Sequence, residues 1–196
     1  MIKVGITGGI GAGKSFVCKR FAAMGFPVFD CDKESKLLMN THQVVRFRLT
    51  ELLGQECYQD GTLNRAFVAE KIFNNPTLKQ QVEAIVHPVV AEQFSQWASE
   101  QNTPIVLVES AILYESGFDK QVDKVIVVDA NTETRIERTM KRDACCKEQA
   151  EQRINAQMSN QEKIKKADYI IQNNPGSDIN SQLFELMKKL YKLAVA

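Results

Sequence analysis

An apolar run at Ile2–Ile6 passes directly into Gly8-Gly9-Ile10-Gly11-Ala12-Gly13-Lys14-Ser15, which fills every position of the pattern G-x-x-x-x-G-K-[ST]. This pattern requires a buried strand before it and a helix after it, so it limits the folds open to the chain. Its glycines let the backbone curl until several N–H groups point at one phosphate. The helix starting near Gly13 adds the positive end of its dipole. Lys14 supplies a point charge for β- and γ-phosphates, and the Ser15 hydroxyl is placed to ligate Mg²⁺. A glycine-rich turn with its lysine in solvent would need neither flanking element. The pattern predicts a nucleoside triphosphate site in which Gly9, Gly11, Ala12, Gly13, Lys14, Ser15 and Phe16 surround the nucleotide.

The remaining periodicity predicts an α/β fold, a five-stranded parallel sheet flanked by helices. Lys3–Thr7 reads as the first strand, followed by a helix from about Gly13 to Met24 whose Val17, Phe21 and Cys18 face the sheet. Gly25 is a candidate left-handed cap. Short strands follow at Pro27–Asp30, Ile105–Val108 ending in Glu109, Val122–Val128 ending in Asp129, and Tyr169–Ile171. Strands alternating with helical segments signal a parallel sheet, and Val-Ile-Val-Val at 125–128 has the unbroken apolar character of a strand buried on both faces. Residues 33–101 break the alternation. They read as an all-helical insertion apart from a turn at Gln59–Thr62, with one apolar face formed by Val82, Ile85, Val86, Val89, Val90, Phe94 and Trp97. Pro88 predicts a kink or break near His87. An insertion of this size is expected to hold the second substrate above the carboxyl ends of the strands. The expected organisation is a nucleotide-binding core (1–32, 102–134 and 167–196), a substrate-binding insertion (33–101) and a lid (135–166).

Composition narrows the partners. The formal net charge of +1 provides no general field to recruit nucleic acid or membrane, so any anion site must be local. No apolar run approaches the roughly 20 residues that span a bilayer, and with the first strand placed so early no signal peptide is expected. The five cysteines are scattered, without C-x-x-C spacing. Adjacent Cys145 and Cys146 rarely meet disulfide geometry. Free thiols in a reducing cytoplasm are expected. Oligomeric state is not encoded in any of these features.

Phosphoryl transfer needs in-line positioning, a metal, cations around the transferring group and an acceptor for the incoming hydroxyl's proton. Asp32, after the second strand, reads equally as that base or as the N-cap of a helix starting near Lys33. Asp30 fits a helix-capping role. Arg65 reads as an anion clamp or as an exposed first-turn arginine, and His87 as a substrate contact or as a partner of a local carbonyl. Glu109 and Asp129 both end apolar strands and could support Mg²⁺ through water; Glu109, next to the expected cap, ranks first and is also a candidate substrate contact. Arg135, Arg138 and Arg142 share a helical face, which suits a lid closing on phosphates or a solvated surface.

Taken in order, the motifs resemble those of the dephospho-coenzyme A kinase family, from Ile2 to about Leu186. The matching pieces are Thr7–Ser15, Val28–Asp32, Asp60–Arg65 with Ile72-Phe73, His87-Pro88, Leu113–Glu115, Arg138–Asp143, Gln157, Ala167-Asp168 and Asn173-Asn174. The resemblance implies ATP-dependent phosphorylation of the ribose 3′-hydroxyl of dephospho-CoA, the last step of coenzyme A biosynthesis. It implies Asp32 as general base and Arg65 and His87 as substrate contacts. It also implies Arg138 and Arg142 as lid cations at the ATP phosphates, Arg142 joining Lys14 in catalysis, and Asn173 at the adenine. Three departures stand out. Phe16 replaces a usual threonine, Ser110-Ala111-Ile112 replaces a usual Val-Pro-Leu, and Glu109 stands where aspartate is common. Two other classes fit poorly. A GTP switch wants D-x-x-G and [NT]-K-x-D motifs that are missing, and a nucleic-acid ATPase wants a sustained basic stretch.

Overall fold

The computed structural model describes residues 1–73 and 75–195; Asn74 and Ala196, which fall within the expected insertion and core ranges, lie outside it. The chain begins with β1 (Ile2–Thr7), α1 (Lys14–Ala23) and β2 (Val28–Asp30). It continues through α2 (Cys31–Thr41), α3 (Gln43–Leu53), β3 (Tyr58–Gln59), β4 (Thr62–Leu63), α4 (Arg65–Phe73) and α5 (Pro76–Ser99). Then come β5 (Ile105–Glu109), β6 (Lys124–Asp129), α6 (Thr132–Asp143), α7 (Lys147–Asn155), α8 (Asn160–Lys166), β7 (Tyr169–Gln172) and α9 (Ile179–Ala194). Two compact units result, one of Met1–Asp30 with Glu100–Ala196 and the other of Cys31–Ser99.

In the first unit the five strands lie in the order β2-β5-β1-β6-β7, and every pairing is parallel. Successive strands depart to opposite sides of β1, so the carboxyl end of β1 is a topological switch point, the place where open α/β sheets bind ligands. One sheet face carries Val4, Ile6, Ile105, Leu107, Ile126 and Val128. They pack with Val17, Cys18 and Phe21 of α1 and with Leu183, Leu186, Met187 and Leu190 of α9. The residues between them, Val106, Val108, Val125 and Val127, are buried as well, which explains why these strands read as continuous apolar runs.

α1 ends in a Schellman motif. The Phe26 N–H donates to the Phe21 carbonyl and the Gly25 N–H to the Ala22 carbonyl, with Gly25 at φ 89°. The accompanying apolar contact is an edge-on pair of Phe21 and Phe26, 6.4 Å between ring centres. β6 starts at Lys124, two residues later than expected, because a 3₁₀ turn at Phe118–Gln121 uses Val122 as its cap.

The second unit corrects two expectations. It is not all-helical, since β3 and β4 form an antiparallel hairpin with Tyr58 opposite Leu63 and Gln59 opposite Thr62. Asp60 (φ 49°) and Gly61 (φ 77°) both adopt positive φ, as a two-residue hairpin turn of the Asp-Gly type requires. Of the kink or break expected near His87, the break does not occur, because α5 runs continuously through Pro88. A proline removes one backbone donor from a helix, and Val82, Val86, Val90, Phe94 and Ala98, buried on both sides of it, hold one continuous face. α2, α3 and α4 all pack on α5.

Candidate active site

The turn between β1 and α1 gets its shape from neighbours on three sides. Gly11 (φ 79°) and Gly13 (φ 92°) are in the left-handed region, and a Cβ would overlap the Arg135 carbonyl at the first and the Asn173 amide at the second. From α6, Arg135 donates through Nε to the Ile10 carbonyl at 3.0 Å, and Arg138 Nη1 lies 3.5 Å from the Ala12 carbonyl. Asn173, buried just past β7, donates to the same Ala12 carbonyl at 2.8 Å. Arg135 is only 7% exposed, so it braces the loop from behind instead of extending an exposed cationic stripe. Burial lowers its pKa against an opposing pull from Asp129.

Within the loop the Lys14 ammonium donates to the Gly8 carbonyl at 3.0 Å, curled back over the turn. Ser15 Oγ donates to Glu109 Oε1 at 2.8 Å. In the parallel register Asp30 lies directly beside Glu109. Cys18, one turn along α1, also donates to Glu109, and its pKa is raised by burial first and by that carboxylate next, with Lys14 opposing. A hydroxyl, two carboxylates and an ammonium therefore meet at the carboxyl edge of the sheet. The oxygen donors of this set, partly anionic, suit a hard cation such as Mg²⁺.

The three arginines of α6 separate. Arg142 forms a bidentate pair with Asp143, Nε to Oδ1 at 2.7 Å and Nη2 to Oδ2 at 3.0 Å, and Arg153 joins the same carboxylate. These hydrogen bonds hold Asp143 at about 2. Arg135 and Arg138 meet the loop, whereas Arg142 is held by its neighbour. Phe16 is exposed beside the loop with the Arg20 guanidinium 4.6 Å from its ring centre.

Two residues of α8 went unnoticed in the sequence. Lys163 is fully buried, donating to the Ala111 carbonyl at 2.6 Å and pairing with Glu115 at 2.9 Å. Asn160 accepts from the Gly9 N–H at 2.8 Å and donates to Asp129. The available signal was Ser159-x-x-Glu162, a capping box that starts a helix at Asn160 and that the structure forms.

In the second unit Asp32 lies in the first turn of α2, exposed. It is not an N-cap, because the helix starts at Cys31, two residues before the expected Lys33. Arg65 is the first residue of α4 and is exposed, behind Asn64, whose side chain accepts from the Phe67 N–H at 3.2 Å. His87 is half-buried in α5; burial lowers its pKa and Glu83 pulls the other way.

A family model described as dephospho-CoA kinase matches residues 2–178. The dephospho-CoA kinase of Bacteroides fragilis is 43% identical over 192 residues, covering 97% of this chain and 94% of the relative. Among solved structures, TT1252 from Thermus thermophilus superposes with a TM-score of 0.84 at 30% identity, covering 98% of this chain and 97% of that one. The dephospho-CoA kinase from Campylobacter jejuni superposes with a TM-score of 0.70 at 25% identity, covering 97% of each chain. With a family model spanning most of its length and relatives matched nearly end to end, the chain belongs to the dephospho-CoA kinase family.

Proposed function

We propose that this chain transfers the γ-phosphoryl group of ATP to the ribose 3′-hydroxyl of dephospho-CoA, giving coenzyme A and ADP. The observation that carries the reading is the complete phosphate loop with Ser15 joined to Glu109 at the sheet edge, in a member of this family. The N–H groups of Gly11–Ser15 and the helix dipole of α1 hold the β- and γ-phosphates. Lys14 leaves the Gly8 carbonyl to pair with them, and Arg138 adds charge from α6. Arg142 exchanges Asp143 for a phosphate when residues 135–166 close as a lid. Asn173 and Phe16 flank the nucleoside.

Asp32 accepts the proton of the 3′-hydroxyl as its oxygen bonds to the γ-phosphorus and the bridging bond to ADP breaks. Arg65 and His87, on residues 33–101, bind the acceptor, the arginine pairing with its phosphates. Ser15 is the residue to hold Mg²⁺ directly, with Glu109 and Asp30 acting through water. Once bound, the ion neutralises charge developing on the phosphate oxygens. Near-zero net charge and free thiols support a cytoplasmic enzyme of small molecules, with neither nucleic acid nor membrane as partner.

Coupled ADP release with ATP, Mg²⁺ and a panel of acceptors tests the reading. Dephospho-CoA should be turned over fastest. Equal or faster turnover of nucleoside monophosphates would replace the assignment with another kinase of the same fold.

A further inference from the structure

The Gly9 N–H is buried on the inner side of the phosphate loop, and its partner is a side chain from a distant helix. Asn160 Oδ1 accepts it at 2.8 Å. Asn160 is 8% exposed, although it opens α8 within a largely polar segment. Its Nδ2 donates to Asp129 at the carboxyl end of β6. An ionised carboxylate can only accept, so Asp129 selects the amide nitrogen and thereby aims the amide oxygen at Gly9.

Both ends of this relay are anchored. Ser159 and Glu162 cap α8 at its start, and Lys163, almost one turn on, is tied to the Ala111 carbonyl and Glu115. Gly9 itself has little room to move, because the Arg135 guanidinium fills the space a Cβ would take. The Gly9 carbonyl in turn accepts from the Ala12 N–H at 3.1 Å. The position of Gly9 thus sets the curl of the residues that follow.

We propose that Asn160 is a positioning residue for the nucleotide phosphates. Drawing on Asp129, it fixes Gly9 and so pre-shapes the N–H groups of Gly11–Ser15, and it ties the place of α8 to the shape of the loop. The inference rests on a triphosphate occupying that loop. Truncating Asn160 leaves the Gly9 N–H unpaired, so the free loop relaxes, and restoring its shape around the phosphates costs about tenfold in affinity.

The experiment measures the affinity of a non-hydrolysable ATP analogue by calorimetry, with KM for each substrate, in Asn160→Ala, Asn160→Asp and the double variant Asp129→Asn with Asn160→Asp. Asn160→Ala should weaken analogue binding about tenfold and raise KM for ATP, while KM for dephospho-CoA stays within about twofold. Asn160→Asp sets two carboxylates against each other and should bind at least as weakly. The double variant exchanges the two groups. An amide at position 129 then donates to a carboxylate at position 160, which still accepts from the Gly9 N–H, so binding should recover to within about threefold of the unsubstituted protein. If Asn160→Ala does not fold, the gain of the double variant over Asn160→Asp decides. Affinity within about twofold of normal in Asn160→Ala, or a double variant no better than Asn160→Asp, overturns the inference alone. Failure of the unsubstituted protein to bind the analogue overturns the phosphate-loop reading along with it.

Discussion

The two units of this chain present their functional side chains in opposite ways. Around the phosphate loop four polar side chains already have partners within the same unit. Lys14 rests on the Gly8 carbonyl, Ser15 on Glu109, Asn160 on Gly9 and Asn173 on Ala12. In the helical unit Asp32 and Arg65 stand exposed in the first turns of separate helices. A site for a compact polyanion gains from a backbone cradle fixed in advance, so that on binding Lys14 has only to exchange the Gly8 carbonyl for phosphate. A site for a large acceptor can gather its contacts from several helices as the ligand arrives.

This contrast is open to direct test through substitution. The largest effect is expected at Lys14. Lys14→Ala should lower kcat/KM by about 10³-fold and weaken ATP binding, since it removes a charge aimed at the transferring group. Asp32→Asn should come next. It should lower kcat by about 10²-fold, the scale of general-base loss, while calorimetry shows ATP affinity nearly unchanged. A kcat close to normal would make Asp32 only a first-turn acidic residue. Arg65→Ala should raise KM for dephospho-CoA about tenfold, the scale of one charge-assisted hydrogen bond, and leave KM for ATP alone. If instead it moves the ATP parameters, the division of labour between the units fails.

The smallest effect is a pH dependence in the helical unit. Burial lowers the pKa of His87 from its ordinary 6.5. The unfolded chain therefore binds more protons than the folded one as pH falls through that ordinary value, and stability must decline there before levelling off below the folded pKa. Thermal midpoints measured between about pH 7.5 and 5.5 should show a shallow fall that His87→Gln flattens. An unchanged slope would mean that other groups set the dependence.

How much of this was legible in the sequence depended on how local the signal was. The sheet was readable because β5 and β6 carry apolar residues on both faces, and the loop because its glycines and Lys14-Ser15 are contiguous. The end of α1 was readable because Gly25 serves a purely local cap. The hairpin at Tyr58–Leu63 carried a local signal too, the Asp60-Gly61 pair, but its strands are too short for alternation to register. Continuity of α5 through Pro88 depends on packing across the helix, which no local rule supplies. Asn160 and Lys163 gain their roles only when α8 is set beside β6 and the loop, with Asn160 lying 151 residues from Gly9 along the chain. The separation of Arg142 from Arg135 and Arg138 follows from a competitor next to it, Asp143, which a helical-face pattern ignores.

A crystal structure with a non-hydrolysable ATP analogue, Mg²⁺ and dephospho-CoA tests the central claim most directly. The phosphates should be cradled by Gly8–Ser15, with the Lys14 ammonium moved from the Gly8 carbonyl onto them and the ribose 3′-oxygen hydrogen-bonded to Asp32. A loop without phosphate, Lys14 still on its own backbone and the nucleotide bound elsewhere would contradict that claim.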